Sequence, residues 1–408
     1  MLRVALRRFD LLQFVLLLCI LFVAGGASVV TAAPVKWKRV ALDGVFRSEG
    51  VTAVDVNRDG KTDVIAGELW YEAPNWIPHE IAPAGDYNFA KGYSDIFGGF
   101  SYDVNGDGWE DYIAVGFPGA ACYWFQNPQN NKGHWQKHEI WHEASNESPN
   151  FGDINGDGKP ELVLGADSQL GFLAIPAASD VTKKWTFHPL CEKGDAQKNG
   201  SFRFYHGLGH GDLNGDGYTD VLIPHGWYEG SASPASGPWK FHPYALAKEP
   251  GGNPLRAAHL HPYDLDLDGD QDIIMSSAHT FGLWWFENLG SPDNTEFKYH
   301  LIDESFSQTH SLQFTDINGD GHKDLITGKR FYAHNGRDPG GKDTVTMYWI
   351  EVHRQKGAPP KFTPHEIVEG RDTGIGTQFL VKDINGDGLL DIVLSNKKGV
   401  NLLIQSRN

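Results

Sequence analysis

Residues 153–165 read DINGDGKPELVLG. The first nine put oxygen-bearing side chains on alternate positions, Asp153, Asn155 and Asp157, then a glycine at 158 and an acid at 161. The remainder is apolar in the manner of a buried strand. The same sentence, D-x-[ND]-x-D-G-x-x-[DE], is written seven times, starting at Asp55, Asp103, Asp153, Asp212, Asp264, Asp316 and Asp383. Each copy runs into a β-rich segment: DVIAG, DYIAVG, ELVLG, DVLIP, DIIMSS, DLITG and DIVLS.

The spacing between copies sets the architecture. They lie 48, 50, 59, 52, 52 and 67 residues apart. Most are followed by an aromatic strand, LWYE, CYWFQN, GWYEG, LWWFEN or MYWIEV, and a further strand carries a histidine: WIPHEI, WQKHEI, WTFHPL, WKFHPY, FKYHLI, FTPHEI. Four short strands per repeat of this length is the pattern of a propeller blade. The expected fold is all-β, a seven-bladed β-propeller with four-stranded antiparallel blades. The last repeat stops after its third strand, NLLIQS, and Trp37–Leu42, WKRVAL, offers the missing fourth. The N-terminal strand then completes the last blade and removes an open edge. A linear solenoid is the competing architecture, and the complementary ends argue against it.

The first 33 residues read as a signal peptide. Arg3, Arg7 and Arg8 precede the apolar run Leu11–Val23, and small residues follow to Ala32 or Ala33. The run is short for a spanning helix, which needs about 20 residues. Leu18 before Cys19 argues against lipidation. The expectation is therefore an extracytoplasmic protein, secreted or periplasmic, with a single propeller domain over 34–408 and no stable membrane span after cleavage. Cys122 and Cys191 remain, either paired or buried singly. The formal charge is −17, and loss of Arg3, Arg7, Arg8 and Asp10 with the leader makes it −19. Such acidity argues against a nucleic-acid partner.

Hard oxygen ligands on alternate residues, with glycine where the backbone turns sharply, suit Ca²⁺. The candidate ligands are Asp55, Asn57, Asp59 and Asp63; Asp103, Asn105, Asp107 and Asp111; Asp153, Asn155, Asp157 and Glu161; Asp212, Asn214, Asp216 and Asp220; Asp264, Asp266, Asp268 and Asp272; Asp316, Asn318, Asp320 and Asp324; and Asp383, Asn385, Asp387 and Asp391. An EF-hand would place its glutamate at the twelfth position between helices, which this pattern does not do. The plain alternative is a set of hydrogen-bonded Asx turns without metal. These loops and strands resemble the FG-GAP or VCBS repeats of integrin α-chain propellers and many secreted bacterial proteins. The resemblance implies a seven-bladed propeller with several structural calcium ions. It is specific for fold rather than for function, because that fold hosts many activities.

In a propeller the residues just before the acidic motif, and just after its strand, gather on the opposite face near the axis. FRFYHGLGHGD supplies His206 and His210, LRAAHLHPYD supplies His259 and His261, and FSQTHSLQFTD supplies His310. Glu49 and Glu147 share the offset of His206; Glu68, Asp167, His225, His279, Lys329, Arg330 and His334 follow their strands. Imidazoles from neighbouring strands suit one Zn²⁺ or another divalent transition metal, with His206, His259, His261 and His310 as ligands. Lys329 and Arg330 suit an anionic group or oxyanion. The plain alternative is a polar rim bonded to backbone. By contrast His79, His138, His188, His242, His300 and His365 recur in one place in the fourth strand, which marks a structural repeat.

HGLGHGDLNGDG, AAHLHPYDLDLDGD and THSLQFTDINGDG are similar to the propeller portion of fungal aldos-2-ulose dehydratases. That resemblance implies a carbon–oxygen lyase or hydratase acting on oxidised (keto) sugars. His210, His225 or Glu49 would remove the α-proton, and Lys329 or Arg330 would hold an oxygen. The alternatives are a non-catalytic module for a carbohydrate or cell-surface protein ligand, and a purely structural or adhesive propeller.

Overall fold

The computed structural model describes residues 34–244, 246, 256–290 and 296–407. The signal-peptide expectation over 1–33 lies outside the described residues. Among the described residues no helix is long and apolar enough to cross a membrane.

The acidic sentence makes a hairpin each time it is written. In the first sheet Val51–Val54 pairs antiparallel with Asp63–Ala66 across the loop, then Leu69–Glu72 and Ile77–Glu80 follow in order. The same order recurs in Gly209–Gly211, Asp220–Ile223, Gly226–Glu229 and Lys240–Pro243, and in Ala257–Tyr263, Asp272–Ser277, Phe281–Asn288 and Phe297–Ser307. It recurs again in Leu312–Thr315, Asp324–Gly328, Met347–Gln355 and Ala358–Glu366. Between the first and these, the second and third units share one long strand, Gln136–Gly152. It edges Ile96–Tyr102, Asp111–Gly116 and Ala120–Gln126, then opens Glu161–Ala166, Gln169–Ala174 and Thr186–Pro189. The last sheet runs Leu380–Lys382, Asp391–Asn396, Gly399–Arg407, and its outer strand is the N-terminal Val35–Asp43. Trp37 pairs with Gln405 and Val40 with Leu402. Both ends of the described chain therefore lie in one sheet, and the edge of Gly399–Arg407 is covered.

The core lies between units rather than within them, because each sheet has two apolar faces to bury. Trp124 and Trp185 pack with Ile113 and Leu164 between the second and third units. Val51 and Tyr71 pack with Val393 and Leu402, which joins the first unit to the last. Burying one such large side chain contributes about 1.5–3 kcal/mol.

The recurrent outer histidines lie directly across from an aromatic of the third strand. Trp70 faces His79, Trp124 faces His138, Phe172 faces His188, Trp227 faces His242, Trp285 faces His300 and Trp349 faces His365. The rings stack; Trp227 and His242 lie 4.1 Å apart at 7°. Nε2 of His79, His242, His300 and His365 meets a glutamate of the third strand, Glu72, Glu229, Glu287 and Glu351. These are cross-strand pairs that fix register. Cys122 and Cys191 are both free thiols, and Cys122 is buried.

Candidate functional site

The acidic loops close one end of the inner strands. Their sixth residue is glycine with a left-handed φ throughout, from 83° at Gly388 to 110° at Gly269, which a side chain would strain. The ninth residue is buried in all seven copies. In every copy but the third, where Glu161 accepts only from Ile154 and Asn155 of its own loop, the carboxylate ties the loop to the third strand: Asp220 accepts from the amides of Leu213 and Gly230, both at 2.8 Å. Asp63 does the same with Val56 and Ala73, and Asp391 with Ile384 and Gln405. Burial pushes these carboxyls up, Asp63 and Asp391 to about 6 and Asp111, Glu161, Asp220, Asp272 and Asp324 to about 7.

The first residue of the loop behaves in two ways. Asp55, Asp103, Asp153, Asp212, Asp316 and Asp383 each turn onto amides of their own loop, as Asp55 does with Asp59 and Gly60. In the fifth copy Asp264, Asp266 and Asp268 instead bring one oxygen each within 4.8 Å of one another. Buried oxygens of Asp264 and Asp270 there have no partner among the described residues.

The other end of the inner strands gathers imidazoles. His206 precedes Gly209–Gly211, His279 follows Asp272–Ser277, and His310 precedes Leu312–Thr315. Nε2 of His279 lies 2.7 Å from Nε2 of His206, and the three rings bring a nitrogen each within 4.8 Å. Glu147 Oε2 completes the group, 3.4 Å from His206 Nε2 and 3.3 Å from His310 Nε2. Glu147 reaches this point because the long strand breaks register: Ser145 and Asn150 keep partners, and residues 146–149 loop out between them. His310 is 0 % exposed, and neither of its ring nitrogens makes a hydrogen bond among the described residues. Burial holds His310 well below the ordinary histidine range, and burial likewise pushes His279 down to about 4. Burial opposes ionisation of Glu147, but His206 and His310 outweigh it and hold the carboxyl low. Three imidazoles and one carboxylate converging with an unsatisfied buried ring fit a divalent transition metal.

The group opens into a cleft of about 780 Å³, with Tyr93, Phe97, Phe117, Phe202, Phe204 and Tyr205 among its walls, together with His225 and His334. Tyr205 OH lies 2.6 Å from His225 Nδ1, and burial lowers the pKa of His225.

The remaining sequence candidates are placed around this group. Glu49 and Arg330 form a buried ion pair at 3.4 Å. Lys329 Nζ donates to Gln308 Oε1 at 2.6 Å. His210, His259 and His261 form a second imidazole set, apart from the cluster of His206 and His310. His210 Nδ1 lies 3.2 Å from Asn150 Oδ1, and His259 and His261 meet the amide and carbonyl of Leu312. Burial pushes His259 to about 4 and His261 to about 3. His279 and Glu147 take the ligand-like places instead. A signal for this exists in the sequence: Glu49, Glu147, His206 and His310 all stand six residues before their first loop aspartate, whereas His259 stands five before Asp264. On an extended segment a one-residue slip turns a side chain to the other face.

A model of the FG-GAP-like repeat matches residues 103–164 and 264–327, so the chain carries such repeats in two places. No curated protein sequence matches the chain. Among solved structures, BBS1N in complex with ARL6DN is 10% identical, with a TM-score of 0.51, covering 91% of this chain and 97% of that one. An Agrocybe aegerita lectin described as recognising non-reducing terminal N-acetylglucosamine is 16% identical, with a TM-score of 0.46, covering 92% and 94%. Rhamnogalacturonan lyase YesW is 11% identical, with a TM-score of 0.44, covering 90% and 75%. At these identities the likeness concerns the fold alone: all-β and propeller-like, built of four-stranded antiparallel sheets.

Proposed function

We propose that this chain, with its FG-GAP-like repeats, is a single seven-bladed propeller that holds a divalent transition metal at His206, His279, His310 and Glu147. It acts there as a carbon–oxygen lyase or hydratase on oxidised sugars. The observation that carries the reading is His310, a fully buried imidazole with two unsatisfied nitrogens beside three other potential ligands. The reading of seven blades is supported by counting the long strand Gln136–Gly152 in two units and by the core shared by the first and last sheets. The N-terminal strand Val35–Asp43 then closes the last blade.

A bound metal would supply Lewis-acid polarisation of a substrate carbonyl. The protein's own part is positioning and proton movement. His225, kept neutral by burial and held by Tyr205, takes the proton from the carbon beside the carbonyl. The electron pair left on carbon forms the new double bond as the neighbouring C–O bond breaks, and the departing hydroxyl leaves as water once protonated. The aromatic walls exclude bulk water and stack on sugar faces. In this reading Lys329 and Arg330 brace the site from behind, because their hydrogen bonds go to Gln308 and Glu49. His210, His259 and His261 belong to the frame along the inner strands. Calcium fits best in the fifth loop, where Asp264, Asp266 and Asp268 converge. The chain is read as exported, with residues 1–33 as its leader.

The test is metal content of the purified protein by plasma mass spectrometry, followed by a keto-sugar screen. One transition metal per chain in the wild type, lost in His206→Ala/His310→Ala with calcium unchanged, is the expected result. Calcium alone in both proteins would sink the lyase reading. The aromatic cleft would then favour the second reading, a glycan- or protein-binding propeller without turnover.

A further inference from the structure

One connection in the molecule departs from its counterparts. The second and third strands are joined by a short turn in the first, third, fourth and last units, as between Ala66 and Leu69 or Ile223 and Gly226. In the sixth unit the same connection spans residues 329–346. It carries His334 and Asp338 to the back of His279, a residue of the neighbouring unit.

Asp338 meets three donors there. Its carboxylate lies 3.1 Å from His279 Nδ1, 2.9 Å from His334 Nδ1 and 3.0 Å from Gln308 Nε2. Gln308 is fixed in turn by Lys329, whose ammonium only donates and so must face the amide oxygen at 2.6 Å. The Gln308 amide nitrogen is thereby aimed at Asp338. An ionised carboxylate only accepts, so the proton of His279 sits on Nδ1 and its lone pair on Nε2. Nε2 is the atom that points at His206. His334 stacks on His279 at 4.6 Å and 18°.

Resting on the metal reading above, we infer that Asp338 is the positioning residue of the centre. Held by Gln308 and Lys329, it fixes the tautomer and orientation of His279 so that the ring presents a lone pair to the ion. A carboxylate behind a ligating histidine raises its basicity and holds its plane, and losing such a partner costs about 10–100-fold in metal affinity. The sixth unit's long connection thus exists to support a ligand supplied by the fifth.

The experiment is a Co²⁺ titration of the full mature chain against a chelator competitor, reading affinity, stoichiometry and the visible absorption of the bound ion. Wild type should bind one Co²⁺ tightly, and His206→Ala should abolish binding. Asp338→Ala should weaken binding about 10–100-fold and alter the absorption bands. Asp338→Asn, which keeps an acceptor oxygen, should recover part of that loss. Gln308→Leu should shift affinity in the same direction by less, which keeps the test decisive if Asp338→Ala folds poorly. Unchanged affinity and spectrum in Asp338→Ala, beside tight binding by wild type, would overturn the inference and leave the metal centre standing. Two Co²⁺ per chain, with one lost in Asp338→Ala, would also overturn it by making Asp338 a ligand. No tight Co²⁺ site in wild type would remove the metal centre itself.

Discussion

The two ends of the inner strands are built on opposite plans. At the loop end every unit repeats the same residues, and the buried ninth carboxylate is bonded to backbone amides in each copy. At the histidine end no one group recurs through all the units. The position six residues before the loop is Glu49, Phe97, Glu147, His206, Ala258, His310 or Thr377. Repetition marks what every blade requires, a turn that holds its hairpin. Departure from repetition marks what the assembled molecule can use only once. Histidine shows the contrast within one residue type: the outer copies stack on an aromatic of the neighbouring strand, as His242 does on Trp227, while His310 is buried among Glu147, His206 and His279 with no hydrogen bond to either ring nitrogen among the described residues.

The largest expected effect tests the loop end. Burial raises the folded pKa of the ninth carboxyls above the unfolded value. Ionising them therefore costs folding free energy, and the calcium-free protein loses that share of stability as pH rises from about 4 to about 7. The difference in melting temperature between calcium-saturated and calcium-free protein should thus widen from pH 5 to pH 8. A difference that stays flat would break the proposal that these loops bind calcium.

A smaller effect is expected at the histidine end. Arg330→Met leaves Glu49 buried without its partner, and losing one member of a buried pair costs about 3–5 kcal/mol. Denaturant unfolding of Arg330→Met and of the double variant Arg330→Met/Glu49→Leu checks this. The double variant should recover most of the loss; if it is as unstable as the single one, the pair is not the cause. The smallest effect belongs to the outer edge. His242→Ala removes a stacked ring from Trp227, worth about 0.5–1.5 kcal/mol, and should leave metal content unchanged. A loss of bound transition metal in that variant would erase the distinction between outer and inner histidines.

The fold was legible because it is periodic. Seven copies of D-x-[ND]-x-D-G with a strand after each gave unit length, strand order and the pairing of Trp37–Leu42 with the last unit, and Val35–Asp43 does pair with Gly399–Arg407. The structural role of His79, His138, His188, His242, His300 and His365 was legible for the same reason. Half of the histidine set was legible too: His206 and His310 lie in the cluster. His259 and His261 precede their loop as His206 and His310 do, but they stand five and three residues before Asp264 rather than six, and they meet the amide and carbonyl of Leu312 instead. His279 follows its strand rather than preceding it, and Glu147 depends on four residues looping out of a shared strand.

The sequence by itself therefore determined the repeating hairpin, the number of repeats and the end-to-end pairing. Local spacing and alternation are sufficient for these, since each unit obeys the same short-range rules. Only the tertiary structure decided which side chains meet at the inner end. His206, His279, His310 and Glu147 come from four different units, and Asp338 reaches them on an insertion of the sixth. Their convergence depends on where the units sit about one another and on a single register break, neither of which is written in the pattern of any one repeat.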